Sequence, residues 1–191
     1  MQALRRVLRA TPNWLPSLWM AVAMVLPDQA LGQFRPDAGA HQAVALFLQS
    51  CVSFAADAPG LRGWAASIGL RALPEQGQAA FMKGARGTVF DASGVAGKLV
   101  VISHDDGGCA VLAQSAEPTA LARAAEAGFA AAAIGAVLDS DRDDPENPGL
   151  RHRTYHASQG ERSWTFVISM EPAGTGRAGV PGQAMLSATR R

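Results

Sequence analysis

The sequence predicts an α+β domain in which N-terminal helices pack on a mainly antiparallel sheet, with one further alanine-rich helix between the strand groups. Three observations predict this fold. Apolar residues recur at helical spacing between residues 37 and 82, the period then changes to two, and short turns containing glycine join neighbouring strand-like runs. Such turns form antiparallel hairpins, because a parallel pair of strands needs a long crossover connection.

The helical part is predicted as three segments. Residues 37–57 form the first helix, and the segment Ala58-Pro59-Gly60 is expected to end it. A second helix covers residues 61–73, and Pro74 opens a short third one that runs through Met82. The larger apolar residues of the first helix share one stripe that must face the core: Val44, Phe47, Leu48, Cys51 and Phe54.

The first group of strands follows these helices. Residues 88–91 form a short strand, and residues 98–104 form a stronger one, whose apolar residues on both faces suit a central position. An Asp-Gly turn then leads into a partner strand over residues 109–114. The alanine-rich helix is predicted over residues 118–134, where its small side chains allow it to lie close against the sheet.

The second group of strands lies in the C-terminal part of the chain. Strands are predicted over residues 152–158, 163–170 and 183–189. In the middle one, large apolar residues alternate with serine, threonine and valine, which is typical of an antiparallel strand with one face on the core and one toward solvent. The acidic segment before these strands, residues 139–146, is interpreted as a solvated loop.

The first 32 residues have the three-part layout of a bacterial secretory signal peptide. Three arginines without an acidic residue precede an uncharged apolar stretch over residues 14–26, and small residues end the segment at Gly32. About 13 apolar residues fall short of the roughly 20 that span a bilayer, so an uncleaved anchor is the less favoured alternative. Export through a twin-arginine pair at Arg5-Arg6 is a second alternative. We expect cleavage near Gly32, which leaves residues 33–191 as a single α+β domain in the periplasm or outside the cell.

The charge balance excludes a polybasic partner-binding surface. The chain has 17 basic and 16 acidic residues, and loss of Arg5, Arg6, Arg9 and Asp28 with the signal peptide leaves 14 and 15. Nucleic-acid binding is therefore not predicted, since it relies on an excess of basic residues. Two cysteines are too few for a four-cysteine zinc site, and no transmembrane segment or cofactor is predicted for the mature chain.

Cys51 and Cys109 are predicted to form a disulfide bond. Cys51 belongs to the apolar stripe of the first helix, and Cys109 shares a strand face with Val111. A helix stripe packed on that sheet face brings the two side chains together, and cysteines in an oxidising compartment usually pair. The alternative is a cysteine nucleophile, for which His104, near Cys109, is the candidate base, although two residues five apart that flank a turn do not by themselves form the required hydrogen bond. That alternative is less favoured, because Cys51 lies in the middle of its helix, away from the N-terminal dipole that lowers a thiol pKa.

The densest polar cluster contains weak candidates for calcium ligands at Asp139, Asp141 and Asp143. Carboxylates at alternating positions suit Ca²⁺, which takes six to eight oxygen ligands. The twelve-residue calcium-loop pattern fails, however, because Asp144 stands where glycine is required and Leu150 stands where a bidentate glutamate closes the site. A solvated loop without metal is the favoured interpretation.

The remaining motifs predict neither a metal site nor a catalytic site. His152 and His156 lie on a predicted strand, where four residues separate them by about 13 Å, too far for one metal ion. The G-x-G-x-x-G string at residues 174–179 is followed by Val-Pro-Gly, which blocks the helix that should receive a pyrophosphate. No catalytic residue is predicted.

Two classes of function remain open for an exported protein of this kind. The favoured one is a non-catalytic domain that binds a protein or another component of the bacterial cell envelope through its sheet face or its glycine-rich loops. The alternative is an envelope hydrolase with a Cys-His or carboxylate site that the fold assembles. The sequence does not identify the partner.

Overall fold

The computed structural model describes residues 36–171 and 184–190, so the predicted signal peptide lies outside the described residues. The predicted α+β fold class is confirmed. The helices are α1 (Pro36–Phe47), α2 (Ala58–Ser67), α3 (Glu75–Met82) and α4 (Pro118–Ala131). The strands are β1 (Arg71–Ala72), β2 (Gly87–Asp91), β3 (Leu99–His104), β4 (Cys109–Ala113), β5 (Val137–Asp143), β6 (Arg151–Gln159), β7 (Arg162–Met170) and β8 (Ala184–Arg190).

The eight strands form one antiparallel sheet in the order β1-β2-β3-β4-β8-β7-β6-β5. Strands β1 to β4 and strands β5 to β7 are two groups of sequential neighbours, and the last strand pairs with one member of each group. Strand β8 therefore joins the two groups into a continuous sheet. The helix α4, which connects them in sequence, lies between β4 and β5 in the chain as predicted.

One face of the sheet carries the main hydrophobic core, which includes residues of α1, α2 and α4. At its centre the Phe129 ring stacks on the Phe166 ring with centroids 5.0 Å apart, and Phe47 and Tyr155 contact Phe129 edge-on. The helices α1 and α4 approach closely at Gly128, where a Cβ atom would lie 2.9 Å from Cγ1 of Val44. A larger residue at that position would push the two helices apart.

The opposite face carries a smaller cluster at one end of the sheet. Met82 of α3 packs there against Val89 of β2, Ile102 of β3 and Ala110 of β4. Strand β3 is therefore covered on both faces, which confirms the central position predicted for it. Among the described helices, α3 is the one that contributes to this second cluster.

The predicted strands of both groups are confirmed to within two residues of their ends, and Pro74 is the cap of the predicted third helix. The predicted alanine-rich helix begins at Pro118 as expected and ends three residues early, at Ala131. The G-x-G-x-x-G string lies outside the described residues. In the described ranges, no helix is long and apolar enough to cross a membrane.

The prediction of one continuous helix over residues 37–57 is wrong in its second half. Helix α1 ends at Phe47, and the chain continues as a π-helical turn over Leu48–Val52. Ser50 donates its hydroxyl to the Leu46 carbonyl at 2.6 Å, and Ser53 donates to the Leu48 carbonyl at 2.9 Å. Such bonds from side chains to the backbone compete with the regular helical ladder, which explains the change of winding.

The segment that was predicted to end the first helix instead begins the second. Helix α2 starts at Ala58, and its cap is Asp57, whose Oδ1 accepts a hydrogen bond from the Gly60 amide at 2.9 Å. A proline in the first turn suits this position, because the amides there have no helical partner. The helix also ends before the predicted Leu73, and residues 71 and 72 form strand β1 instead.

The interpretation of residues 139–146 as a solvated loop is wrong for residues 139–143. These belong to β5, the edge strand that pairs with β6 and has a bulge between Leu138 and Ser140. Both faces of β5 are largely exposed, so it lacks the alternation of apolar residues by which strands are identified. A bulge and charged side chains are features that protect a free edge from pairing with other chains.

Candidate functional site

The predicted disulfide bond between Cys51 and Cys109 is confirmed, with Cα atoms 5.2 Å apart. It ties the π-helical turn to the first residue of β4, and both cysteines are buried. The chain contains only these two cysteines. With both sulfur atoms bonded to each other, neither can act as the nucleophile of a Cys-His site.

A polar surface of the sheet lies on the side away from α1, α2 and α4, over strands β5 to β8. We call this surface the open face. It follows directly from the alternation along each strand, since residues that alternate with core residues point to the other side. Its polar residues on β6, β7 and β8 are His152, Thr154, His156, Ser158, Ser163, Thr165, Ser169, Ser187 and Thr189.

A chain of three hydrogen-bonded side chains crosses one end of the open face. His152 of β6 lies directly opposite Ser169 of β7 in the strand register, and its Nδ1 is 2.8 Å from the Ser169 hydroxyl. Its Nε2 is 2.9 Å from Oδ2 of Asp144, which follows β5. The His152 ring therefore joins a carboxylate on one side to a hydroxyl on the other.

The turn after β5 holds the Asp144 carboxylate in place. Its Oδ1 accepts hydrogen bonds from the amides of Glu146 and Asn147, both at 2.8 Å, and from the Asn147 side chain at 3.2 Å. The hydrogen bond from His152, together with these donors, lowers the pKa of Asp144 to about 2. Asp144 is therefore ionised at neutral pH and acts only as an acceptor.

The charge of Asp144 determines the tautomer of the neutral His152 ring. Because an ionised carboxylate has no proton to donate, the proton of the Asp144–His152 hydrogen bond belongs to Nε2. Nδ1 then carries a lone pair and accepts a hydrogen bond from the Ser169 hydroxyl. Carboxylate, imidazole and hydroxyl follow one another in the order that activates a serine for nucleophilic attack in hydrolases, with the two ring nitrogens exchanged.

The second histidine of β6 has separate surroundings on the same face. Nδ1 of His156 is 3.2 Å from the Thr165 hydroxyl, and its Nε2 is 3.5 Å from Oδ2 of Asp139. It borders a shallow cleft of about 350 Å³ that also includes Ser158 and Val137. His152 and His156 thus have different partners, as their spacing along one strand predicts.

The other face of β5 and β6 carries an ionic cluster that joins the edge of the sheet to α4. Asp141 accepts hydrogen bonds from Nε of Arg151 at 2.6 Å and from Nε of Arg153 at 2.9 Å. These partners, Arg151 first, lower the pKa of Asp141 to about 2. Arg153 and the Tyr155 hydroxyl both donate to Glu126 of α4, and burial raises the pKa of Tyr155 to about 12.

The three calcium candidates have different surroundings. Both oxygens of Asp141 already bind arginine, and Asp139 lies beside His156 of the neighbouring strand. Asp143 is exposed at the end of β5. Within the part of the chain that the structure describes, no group of three or more His, Cys, Asp or Glu residues could hold a metal ion. Calcium binding itself stays a prediction, with its test given below.

Sequence reasoning missed the relation between Asp144, His152 and Ser169. Asp144 and His152 are eight residues apart, and Ser169 is 17 residues beyond His152 in another strand. The predicted hairpin of β6 and β7 contained the one usable signal, because its register places residue 152 opposite residue 169. The turn that brings Asp144 back to the sheet has no comparable signal in the sequence.

Comparison with known proteins identifies no relative. The sequence matches no protein-family model, no curated protein and no solved structure. Any function must therefore be argued from the residues and geometry of this chain.

Proposed function

We propose that the protein is an exported binding domain of the bacterial cell envelope, and that its open face contacts the partner, a protein or another envelope component. One observation carries the proposal. Strands β6, β7 and β8 present hydroxyl and imidazole groups on the open face. Among the described helices, α3 packs on that side of the sheet, and it does so at the end formed by β2, β3 and β4. Short polar groups on a rigid sheet suit specific hydrogen bonding to a partner.

Export is supported by two independent features of the chain. The N-terminal 32 residues have the charged, apolar and small-residue segments of a signal peptide. The Cys51–Cys109 disulfide suits an oxidising compartment, since cytosolic thiols are kept reduced. Mass spectrometry of the exported protein should show Gln33 as its first residue. A mature protein that starts upstream of Met20, or that stays in the inner membrane after an alkaline wash, would contradict the signal peptide.

The surroundings of Thr154 make it the best position at which to test the binding role. It is half-buried near the middle of β6, and its neighbours on the open face are Val167 and Ser140. A Thr154→Lys substitution adds a long charged side chain to the proposed contact surface without removing a core residue. Thr119, an exposed residue in the first turn of α4, offers a matched control for the same substitution.

The experiment compares the mature wild-type domain with the Thr154→Lys and Thr119→Lys variants. A photoreactive amino acid at Thr165 should cross-link the partner in envelope preparations from the native host. We expect Thr154→Lys to abolish this cross-link and Thr119→Lys to preserve it. Equal cross-linking by both variants, with circular dichroism showing that both are folded, would contradict the open face as the contact surface.

The disulfide bond removes the Cys-His site from the alternative class, an envelope hydrolase. A Cys-His site requires a free thiol, and both cysteines of the chain are bonded to each other. The one favourable observation for this class is the chain of hydrogen bonds through Asp144, His152 and Ser169, which contains a carboxylate, an imidazole and a hydroxyl.

A further inference from the structure

We propose that Ser169 is a nucleophile for acyl transfer and that His152 is its general base. Asp144 orients the His152 ring and stabilises its charged form. The two hydrogen bonds of 2.8 and 2.9 Å place all three groups in contact in the required order. This activity goes beyond partner binding and does not depend on it. The two proposals therefore fail or succeed in separate experiments.

The turn after β5 holds Asp144 in position, which distinguishes this set of hydrogen bonds from a chance contact. Three donors hold Oδ1 of Asp144, so that Oδ2 is directed at His152. An imidazolium forms when Ser169 gives its proton to His152. Neither the carboxylate nor the ring has to move at that point, because the carboxylate already lies where it stabilises the charged ring. Such pre-organisation is the property by which a supporting carboxylate contributes to catalysis.

The reaction is the transfer of an acyl group from an ester to water in two steps. The Ser169 oxygen attacks the carbonyl carbon, and its proton passes to Nδ1 of His152. The ester C–O bond then breaks, and the leaving alkoxide takes that proton from His152. Water next attacks the acyl-serine, gives its proton to Nδ1, and the protonated ring returns it to the Ser169 oxygen as the acid leaves. Ester and water are the only reactants, and no electrons are exchanged.

Arg142 is the cationic residue that the strand register places on the same face as the reacting groups, where it can meet the negative charge that develops on the substrate oxygen. The residue lies opposite His152 in the pairing of β5 with β6, on the same face as Ser169. Two strand spacings separate the Arg142 and Ser169 backbones, about 10 Å, most of which an extended arginine side chain covers. We assign Arg142 the role that backbone amides have in other hydrolases, since the amides of β7 are committed to the sheet ladder.

The burial of Ser169 restricts the substrate to a slender acyl group. Only 7% of the residue is exposed, and its neighbour on β8 is the half-buried Met185. A branched or polymeric acyl chain would collide with these side chains at the reacting atom. The substrate class is therefore a small ester, such as an acetyl group on an alcohol.

The test is covalent labelling of the folded mature domain with methanesulfonyl fluoride, a small unbranched reagent that sulfonylates activated serines with loss of fluoride. Tandem mass spectrometry should locate the adduct on Ser169. Ser67→Ala is the control, because Ser67 lies in α2, outside the open face, and donates to the Trp64 backbone carbonyl instead of an imidazole. That variant should label at the wild-type rate.

Two further variants test the role of the supporting groups. Asp144→Asn keeps an acceptor for the turn amides but reverses the His152 tautomer, so labelling should slow by roughly 100-fold or more. His152→Ala should abolish labelling. The absence of an adduct on Ser169 in the folded wild-type domain would overturn the proposal. Labelling of the folded His152→Ala variant at the wild-type rate would overturn it equally.

Discussion

Removal of the Cys51–Cys109 bond is the perturbation whose effect the structure determines most directly. The bond connects the π-helical turn after α1 to β4, two elements that are otherwise held together by side-chain packing. Cys51→Ala and Cys109→Ala each break this one covalent link. Both residues are almost fully buried, with exposed fractions of 0% and 3%. A remaining thiol is a small, weakly polar group, so it can stay in the apolar core at little cost.

The size of the effect follows from the loop that the bond closes. The two cysteines are 58 residues apart, and in the chain-entropy model closing such a loop in the unfolded chain stabilises the native state by about 4 kcal/mol. Each single substitution should therefore lower the free energy of unfolding by roughly 2–4 kcal/mol. The double variant should lose about the same amount, because all three variants lack the same bond.

The assay is urea unfolding of the mature domain without reductant, followed by circular dichroism. Wild-type protein treated with a thiol reductant is the control, and its stability should fall to the level of the double variant. Thiol titration of the unfolded, unreduced wild-type protein should find no free thiol. Two free thiols would refute the bond, and additive losses in the double variant would show that each cysteine contributes through separate packing contacts.

Three further predictions concern the core and the edge of the sheet. Phe129→Ala should lower the free energy of unfolding by about 3–5 kcal/mol in the same urea assay, because it removes the ring stacked on Phe166, and a loss below 1 kcal/mol would contradict this central position. The pKa of Asp141 falls from 3.8 to about 2 on folding, so its stabilising contribution is present above pH 4 and is lost as the pH falls through about 2. Asp141→Asn should therefore destabilise the domain at pH 6 much more than at pH 2, and equal losses at both pH values would be the contrary result. Millimolar calcium should leave the melting temperature unchanged, because Arg151 and Arg153 already occupy the oxygens of Asp141, whereas a rise of several degrees that Asp141→Ala removes would establish a calcium site.

The residues of the candidate site could be predicted from the sequence only in part. The strand pattern of residues 163–170 correctly separated Phe166 and Ile168 from Thr165 and Ser169, because alternation along a strand depends on neighbouring residues alone. It did not show that the side chain of Ser169 bonds to His152. The register of the predicted hairpin places the two residues opposite each other, whereas the turn that carries Asp144 to His152 is not set by local periodicity.

The edge strand β5 could not be predicted from its own residues. Its sequence, Val-Leu-Asp-Ser-Asp-Arg-Asp, is mostly polar because both of its faces are exposed, so the acidic residues indicate a loop as readily as a strand. Its pairing is stabilised from outside the segment, by Arg151 and Arg153 on β6, which bind Asp141. A segment whose structure depends on partners on another strand cannot be assigned from its own residues.

The sequence by itself determined the α+β class, the order of the four helices and of six of the eight described strands, the pairing of β3 with β4 and of β6 with β7, and the partners in the disulfide bond. These features follow from local spacing and from burial, and the two buried cysteines had only each other as partners. Tertiary structure alone decided that β8 joins the two groups of strands and that Asp144, His152 and Ser169 meet. The physical reason is that both depend on contacts between different strands and turns, whose free energies no local pattern records.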